Sequence, residues 1–179
     1  MDRGIHERAK VNSMNYRLLK MLLRSIGTHK LSKRLGHIAY KDGVVFVTDE
    51  TQMVIYEDER FTAKGLFCLK PDDVRSMPED VDLRVDEQGF VDQNGKRYGR
   101  EIAEYPDLRK SWDVITAQAK LGHNLQIDAR RLERLISTFK AAKALNMYIS
   151  VQGSAVLMWG STPSTRIYGA LVGRVTTEG

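Results

Sequence analysis

Between Tyr16 and Lys30 apolar and basic positions separate when residues are placed at about 100° per position. Leu18, Leu19, Leu22, Leu23 and Ile26 fall on one face and Arg17, Lys20 and Arg24 on the other, which predicts an amphipathic helix. The same separation recurs from Asp128 to Ala142. There Leu132, Leu135, Ile136, Phe139 and Ala142 form an inward stripe, and Arg130, Arg131 and Arg134 share the outward side with Ser137 and Thr138. Asp128 precedes this helix as an N-cap, where its carboxylate can accept from an orphan amide and meets the positive end of the helix dipole. Each helix leads into segments with a period of two. Residues 36–40, 44–48 and 52–56 read as three strands, with Asp42-Gly43 as a hairpin turn between the first two.

The middle of the chain repeats this order. The strand 66–69 is followed by a short helix over 70–77 that opens with Pro71, Asp72 and Asp73 and stops at Pro78. Alternation at Val81-Asp82-Leu83-Arg84-Val85, then turns at Gly89 and Asn94-Gly95, predicts a second meander reaching Ile102. A third unit begins with a strand at 124–127, passes through the second basic helix and ends in strands at 147–151, 155–159 and 167–172. The fold class expected is therefore α+β, with antiparallel sheets in repeated helix-plus-meander units. Residues 1–13 read as an arm, 14–110 as one domain, 111–122 as a connector with a possible helical turn near Trp112, and 123–179 as a half-domain.

Length and composition narrow the function without fixing it. The 179 residues suffice for a real core, and 28 basic against 23 acidic residues leave a net charge of +5. So modest an excess is informative only through its placement, and two basic helix faces in one repeat framework point outward to a polyanion. A basic helix face is also what ordinary solvated surface presents. Cys68 is the single cysteine; it lies in the apolar run 65–69 and reads as a small core residue in a reducing compartment. No apolar run approaches the ~20 residues of a membrane span, and the first residues lack the apolar block of a secretion signal, so a soluble cytoplasmic protein is expected.

Glu104-Tyr105-Pro106-Asp107-Leu108-Arg109-Lys110 resembles the segment that closes the middle domain of the bacterial sliding clamp, the beta subunit of DNA polymerase III. Residues 47–53, Val-Thr-Asp-Glu-Thr-Gln-Met, sit where that domain has alanine, threonine, aspartate, glycine, histidine, arginine and leucine. Residues 125–175 run like a clamp's final half-domain, and Leu171-Val172-Gly173-Arg174-Val175 resembles its closing tail. The resemblance implies a DNA clamp fold, a processivity or docking platform without catalysis, and helices turned toward DNA. It also implies a peptide pocket at Thr48, Glu50, Thr51, Gln52 and Met53 with Leu171, Val172, Gly173, Arg174 and Val175. The family's histidine-arginine pair and closing proline are absent from this pocket. One domain and a half per chain would need four chains to close a twelve-unit ring, so a homo-oligomer is expected.

Other chemistry finds little footing. His6, His29, His37 and His123 lack the spacing of a zinc site, and the acids Asp49-Glu50 and 57–59 lie at a strand edge and a turn, so no metal and no cofactor are expected. Tyr98, Tyr105, Trp112, Tyr148, Trp159 and Tyr168 read as core and sheet-face residues or as a stacking surface for single strands. The expectation is a non-catalytic clamp-like factor that binds DNA without sequence preference through Arg17, Lys20, Arg24, Arg130, Arg131 and Arg134, with a polymerase or other replication protein as a possible partner. The alternatives are a monomeric or dimeric nucleic-acid-binding regulator that forms no ring, and a small enzyme with a dispersed active site.

Overall fold

The computed structural model describes residues 13–25, 35–49, 51–117, 124–152 and 154–176. In chain order its elements begin with β1 (Met14–Asn15), α1 (Tyr16–Ser25), β2 (Ile38–Lys41), β3 (Val44–Thr48) and β4 (Gln52–Asp58). The second unit comprises β5 (Leu66–Leu69), α2 (Pro71–Arg75), β6 (Asp82–Asp86), β7 (Gly89–Val91), β8 (Arg97–Tyr98) and β9 (Arg100–Glu101). Then come α3 (Leu108–Ala117), β10 (Asn124–Gln126), α4 (Ala129–Ala141), β11 (Asn146–Gln152), β12 (Ala155–Ser161), β13 (Thr165–Val172) and β14 (Arg174–Thr176). The α+β class and the helix-plus-meander order are those the sequence pattern predicts. Residues 1–12 of the arm expected over 1–13, and the end of the first helix beyond Ser25, lie outside the described residues.

Among the described residues all strand pairs are antiparallel, and the three meanders divide between two larger sheets. One sheet has eight strands in the order β11-β12-β13-β4-β3-β2-β5-β9, and the other has four in the order β1-β6-β7-β8. The first two units exchange their leading strands. β1 joins the second meander, Met14 opposite Leu83, and β5 joins the first, Ile38 opposite Leu69. The third unit adds to the first through β13 and β4, with Leu171 opposite Gln52 and Thr165 opposite Asp58. β10 pairs separately with β14, Leu125 opposite Val175.

Alternation along these strands separates two cores on opposite faces of the large sheet. Ile38, Tyr40, Val45, Val47, Val54 and Tyr56 face Leu18, Leu19 and Leu22 of α1 and Leu135 and Phe139 of α4. Ala39, Phe46, Met53, Ile55, Leu157 and Ala170 face the other way, against Leu108, Trp112 and Ile115 of α3. Full burial of each such side chain contributes about 1.5–3 kcal/mol, so the two layers of helix are held to the sheet by their apolar stripes. Leu135 and Phe139 descend close to the sheet because residue 169 is glycine: a Cβ there would stand 2.6 Å from Leu135 Cδ1 and 3.2 Å from Phe139 Cε2.

Local signals explain the connections. The β2–β3 hairpin turns through Asp42 and Gly43, both with positive φ (48° and 94°), as an Asp-Gly turn requires. α3 is a full ten-residue helix where the sequence pattern predicts no more than a turn. Asp107 starts it, accepting from the Lys110 amide at 3.1 Å, and Leu108, Trp112 and Ile115 give it an apolar stripe.

Candidate nucleic-acid interface

The basic helices pack side by side on one face of the large sheet. The Thr138 hydroxyl of α4 lies 3.1 Å from the Met21 carbonyl oxygen of α1 and 3.0 Å from that of Arg134, so it donates across the helix pair as well as along its own helix. Thr138 is fully buried. The sequence pattern places it with the outward polar residues; contact with the neighbouring helix, which periodicity cannot register, turns it inward.

Asp128 caps α4 as expected, its carboxylate accepting from the Arg130 amide at 2.8 Å. Arg130 and Arg134 follow on the exposed side of α4, and Arg17 and Arg24 on the exposed side of α1. Lys20 is half-buried, with its Nζ 5.4 Å from the centre of the Tyr16 ring. Among the described residues none of the ion pairs engages Arg17, Lys20, Arg24, Arg130 or Arg134; those pairs join Arg60 to Asp58, Arg75 to Asp72, Arg97 to Asp86, Arg109 to Glu57 and Arg166 to Glu59. Four guanidinium groups and one ammonium are thus carried by two adjoining helices whose opposite faces are buried. Arg131 differs: it is half-buried and its guanidinium donates to Thr51 Oγ1.

That contact links the helices to the second candidate site. Thr48, Thr51, Gln52 and Met53 stand at the β3–β4 end of the sheet, and the β4–β13 register brings Leu171 opposite Gln52 and Ala170 opposite Met53. The Val172 amide donates to the Thr51 carbonyl at 2.9 Å, so the two segments resembling the clamp pocket meet along one seam. Asp49 organises the turn, one carboxylate oxygen accepting from the amides of Thr51 and Gln52 and from the Thr51 hydroxyl at 2.9–3.0 Å. The Thr48 hydroxyl donates to the Gln52 carbonyl at 2.9 Å. Gln52 is only 2% exposed, and among the described residues neither its Oε1 nor its Nε2 has a hydrogen-bond partner. Gly173 is half-buried at the end of the seam, and Arg174 and Val175 continue into β14 opposite Gln126 and Leu125. Glu50 lies outside the described residues.

The segment 104–110 connects β9 to α3 and forms the first turn of that helix. The Tyr105 hydroxyl donates to the His37 carbonyl at 3.3 Å, and its ring lies against Phe46, centroids 6.5 Å apart. Burial raises the Tyr105 hydroxyl pKa. Arg109 pairs with Glu57 and lies 5.3 Å from the Tyr168 ring centre. Of the aromatic residues singled out in the sequence, Tyr98 is core, whereas Tyr148 and Trp159 stack at 5.6 Å on the sheet face and stay substantially exposed. Trp112 and Tyr168 meet edge to face at 5.3 Å beside them. Cys68 is buried, as its apolar run predicts. Among the described residues no three His, Cys, Asp or Glu side chains gather as metal ligands, and no helix is long and apolar enough to cross a membrane.

This layering of meanders and helices resembles that of a solved DNA polymerase III beta subunit. The DNA polymerase III beta subunit from Thermotoga maritima superposes on 93% of this chain with a TM-score of 0.54 and 14% identity. A sliding clamp from Bartonella birtlesii bound to griselimycin gives 0.47 and 12% over 93% of this chain and 66% of its own. The beta subunit from Pseudomonas aeruginosa gives 0.37 and 11% over 93% and 51%. The chain spans 65% of the Thermotoga protein's length, and the likeness to it is one of fold. No family model and no curated protein sequence matches the chain.

Proposed function

We propose that this chain is a clamp-like, non-catalytic factor that associates with DNA through the basic faces of α1 and α4, with no sequence preference. The observation that carries the reading is the juxtaposition of Arg17, Lys20 and Arg24 with Arg130 and Arg134, clear of carboxylate pairing and backed by a rigid sheet. Such an array neutralises phosphates and releases condensed counterions, which gives affinity without reading bases. In this reading residues 14–110 form one clamp-like domain and 123–179 a further half-domain, Arg131 bridges the DNA face to the seam at Thr51, and a replication protein docks at the seam through a short peptide.

The test is retention of the intact chain on a random-sequence duplex. Replacing Arg17, Arg24, Arg130 and Arg134 with glutamate abolishes retention on this account while leaving the melting temperature nearly unchanged, because none of the four contributes to either core. Retention of that variant at the level of the wild type contradicts it.

A further inference from the structure

β2 opens the first meander, and its outer edge is covered by β5 of the next unit, antiparallel, from Ile38 opposite Leu69 to Lys41 opposite Leu66. β11 holds the same place in the third unit, after the basic helix and before two antiparallel strands. Yet β11 ends the eight-stranded sheet, and among the described strands only β12 pairs with it. Its edge is long, seven residues, and the segment 145–152 carries no charge. The opposite edge, β9, is two residues long and consists of Arg100 and Glu101, the short charged form by which proteins guard an edge.

Apolar exposure is concentrated at this one edge. Leu145 is 77% exposed, Ile149 54% and Tyr148 53%, with Met147, Val151 and Trp159 also open. At roughly 200 Å² per full side chain these six leave about 600 Å² uncovered, at the upper end for one monomer patch and close to the ~800 Å² each partner gives to a stable interface. Both faces of the strand take part. Met147, Ile149 and Val151 oppose Gly160, Met158 and Val156 on the side of α4, and Tyr148 opposes Trp159 on the side of α3. A partner must therefore supply a strand with apolar side chains on both faces, and β11 of a second copy, uncharged and of the same length, does so.

We propose that β11 pairs antiparallel with β11 of a second copy of this chain, about a two-fold axis through Ile149. The strand is self-complementary in that register: Met147 meets Val151 of the second copy, Ile149 meets itself, and Tyr148 meets Ser150, each pair on one face. An axis midway between two residues would set Tyr148 against Ile149, which point to opposite faces, and the antiparallel ladder forbids this. Such an interface is isologous and closes at two copies. Its axis is perpendicular to the sheet, so both copies present α1 and α4 on the same side and the basic surface doubles.

The full chain, measured in solution by light scattering after size exclusion, is expected to have twice the 20.4 kDa of one chain. Ile149→Lys is expected to give a folded monomer with unchanged circular dichroism. Ile149→Cys is expected to cross-link through position 149 in both copies under air, against a low background because the native cysteine, Cys68, is buried. A wild-type monomer at tens of micromolar, a larger ring, a dimer indifferent to the lysine, or failure of the Ile149→Cys variant to cross-link overturns the proposal. The wild-type mass and the cross-link decide even where the lysine variant does not fold. All are measured without DNA, so the result is separate from the fate of the DNA reading.

Discussion

Thr138 reaches from the second basic helix to the Met21 carbonyl of the first, 3.1 Å away and 117 residues earlier in the chain. This contact is buried between two helices that carry like charge on their outer faces, and it fixes their spacing where charge repulsion would open it. Thr138→Val keeps the shape of the side chain and removes the donor. The variant is expected to lose about 1 kcal/mol of stability in urea unfolding, the usual net value of one hydrogen bond. An unchanged midpoint would mean that the apolar stripes alone set the helix pair.

Gly169 makes a sharper demand. A Cβ at that position meets Leu135 Cδ1 at 2.6 Å, so Gly169→Val must displace the fully buried Leu135 side chain and strain the seat of α4 on β13. Overpacking of this kind costs about 1–3 kcal/mol. Calorimetry is expected to show the loss, and DNA affinity to fall with it because α4 shifts relative to α1. A neutral Gly169→Val would show that α4 does not sit as closely on the sheet as its contacts imply.

Gln52 runs the other way. Its amide is buried opposite Leu171 with no partner for either polar atom. Burying an unsatisfied amide costs on the order of 1–3 kcal/mol by protein mutational measure, so Gln52→Leu is expected to raise the melting temperature. The unpartnered amide is thus a net cost to the fold at this seam. Destabilisation by Gln52→Leu would remove that argument.

His37 adds a pH dependence. Burial lowers its pKa from 6.5, and the positive charges of Lys70 and Arg100 lower it further. The unfolded chain therefore binds the proton at a higher pH than the folded one, so this contribution is complete above about pH 6.5 and is lost as pH falls through the lowered folded value. Melting curves from about pH 8 to about pH 5 are expected to fall more steeply for the wild type than for His37→Gln. Parallel curves would exclude His37 as a source of acid sensitivity.

The basic helices, the Asp42-Gly43 hairpin and the strands of all three meanders are legible in the sequence because each is local: a period, a cap or a turn residue suffices. α3 is harder to see, since the three positions of its inward stripe follow a strand end and a proline and only the Asp107 cap marks its start. Thr138 and Arg131 show where periodicity stops. One is buried by a neighbouring helix and the other turned to Thr51 by a neighbouring strand, and neither neighbour is near in sequence. Strand order is likewise absent from a period of two, which says which side a residue faces but not that β13 lies beside β4 or that β1 and β5 trade sheets. The segments at 48–53 and 171–175 are recognisable by resemblance, and their meeting along one seam follows only from that pairing.

The central claim is that the helix pair binds phosphate backbone, and the salt dependence of duplex binding tests it most directly. If Arg17, Lys20, Arg24, Arg130 and Arg134 each meet a phosphate, the log–log slope of affinity against salt is about −4.5, a loss of roughly two to three orders of magnitude between about 50 and about 200 mM. The same slope is expected for unrelated duplex sequences, and reversing the four arginines, which leaves only Lys20, should cut it to about −1 or less. A salt-independent affinity, or a slope that survives the reversal, would contradict the account.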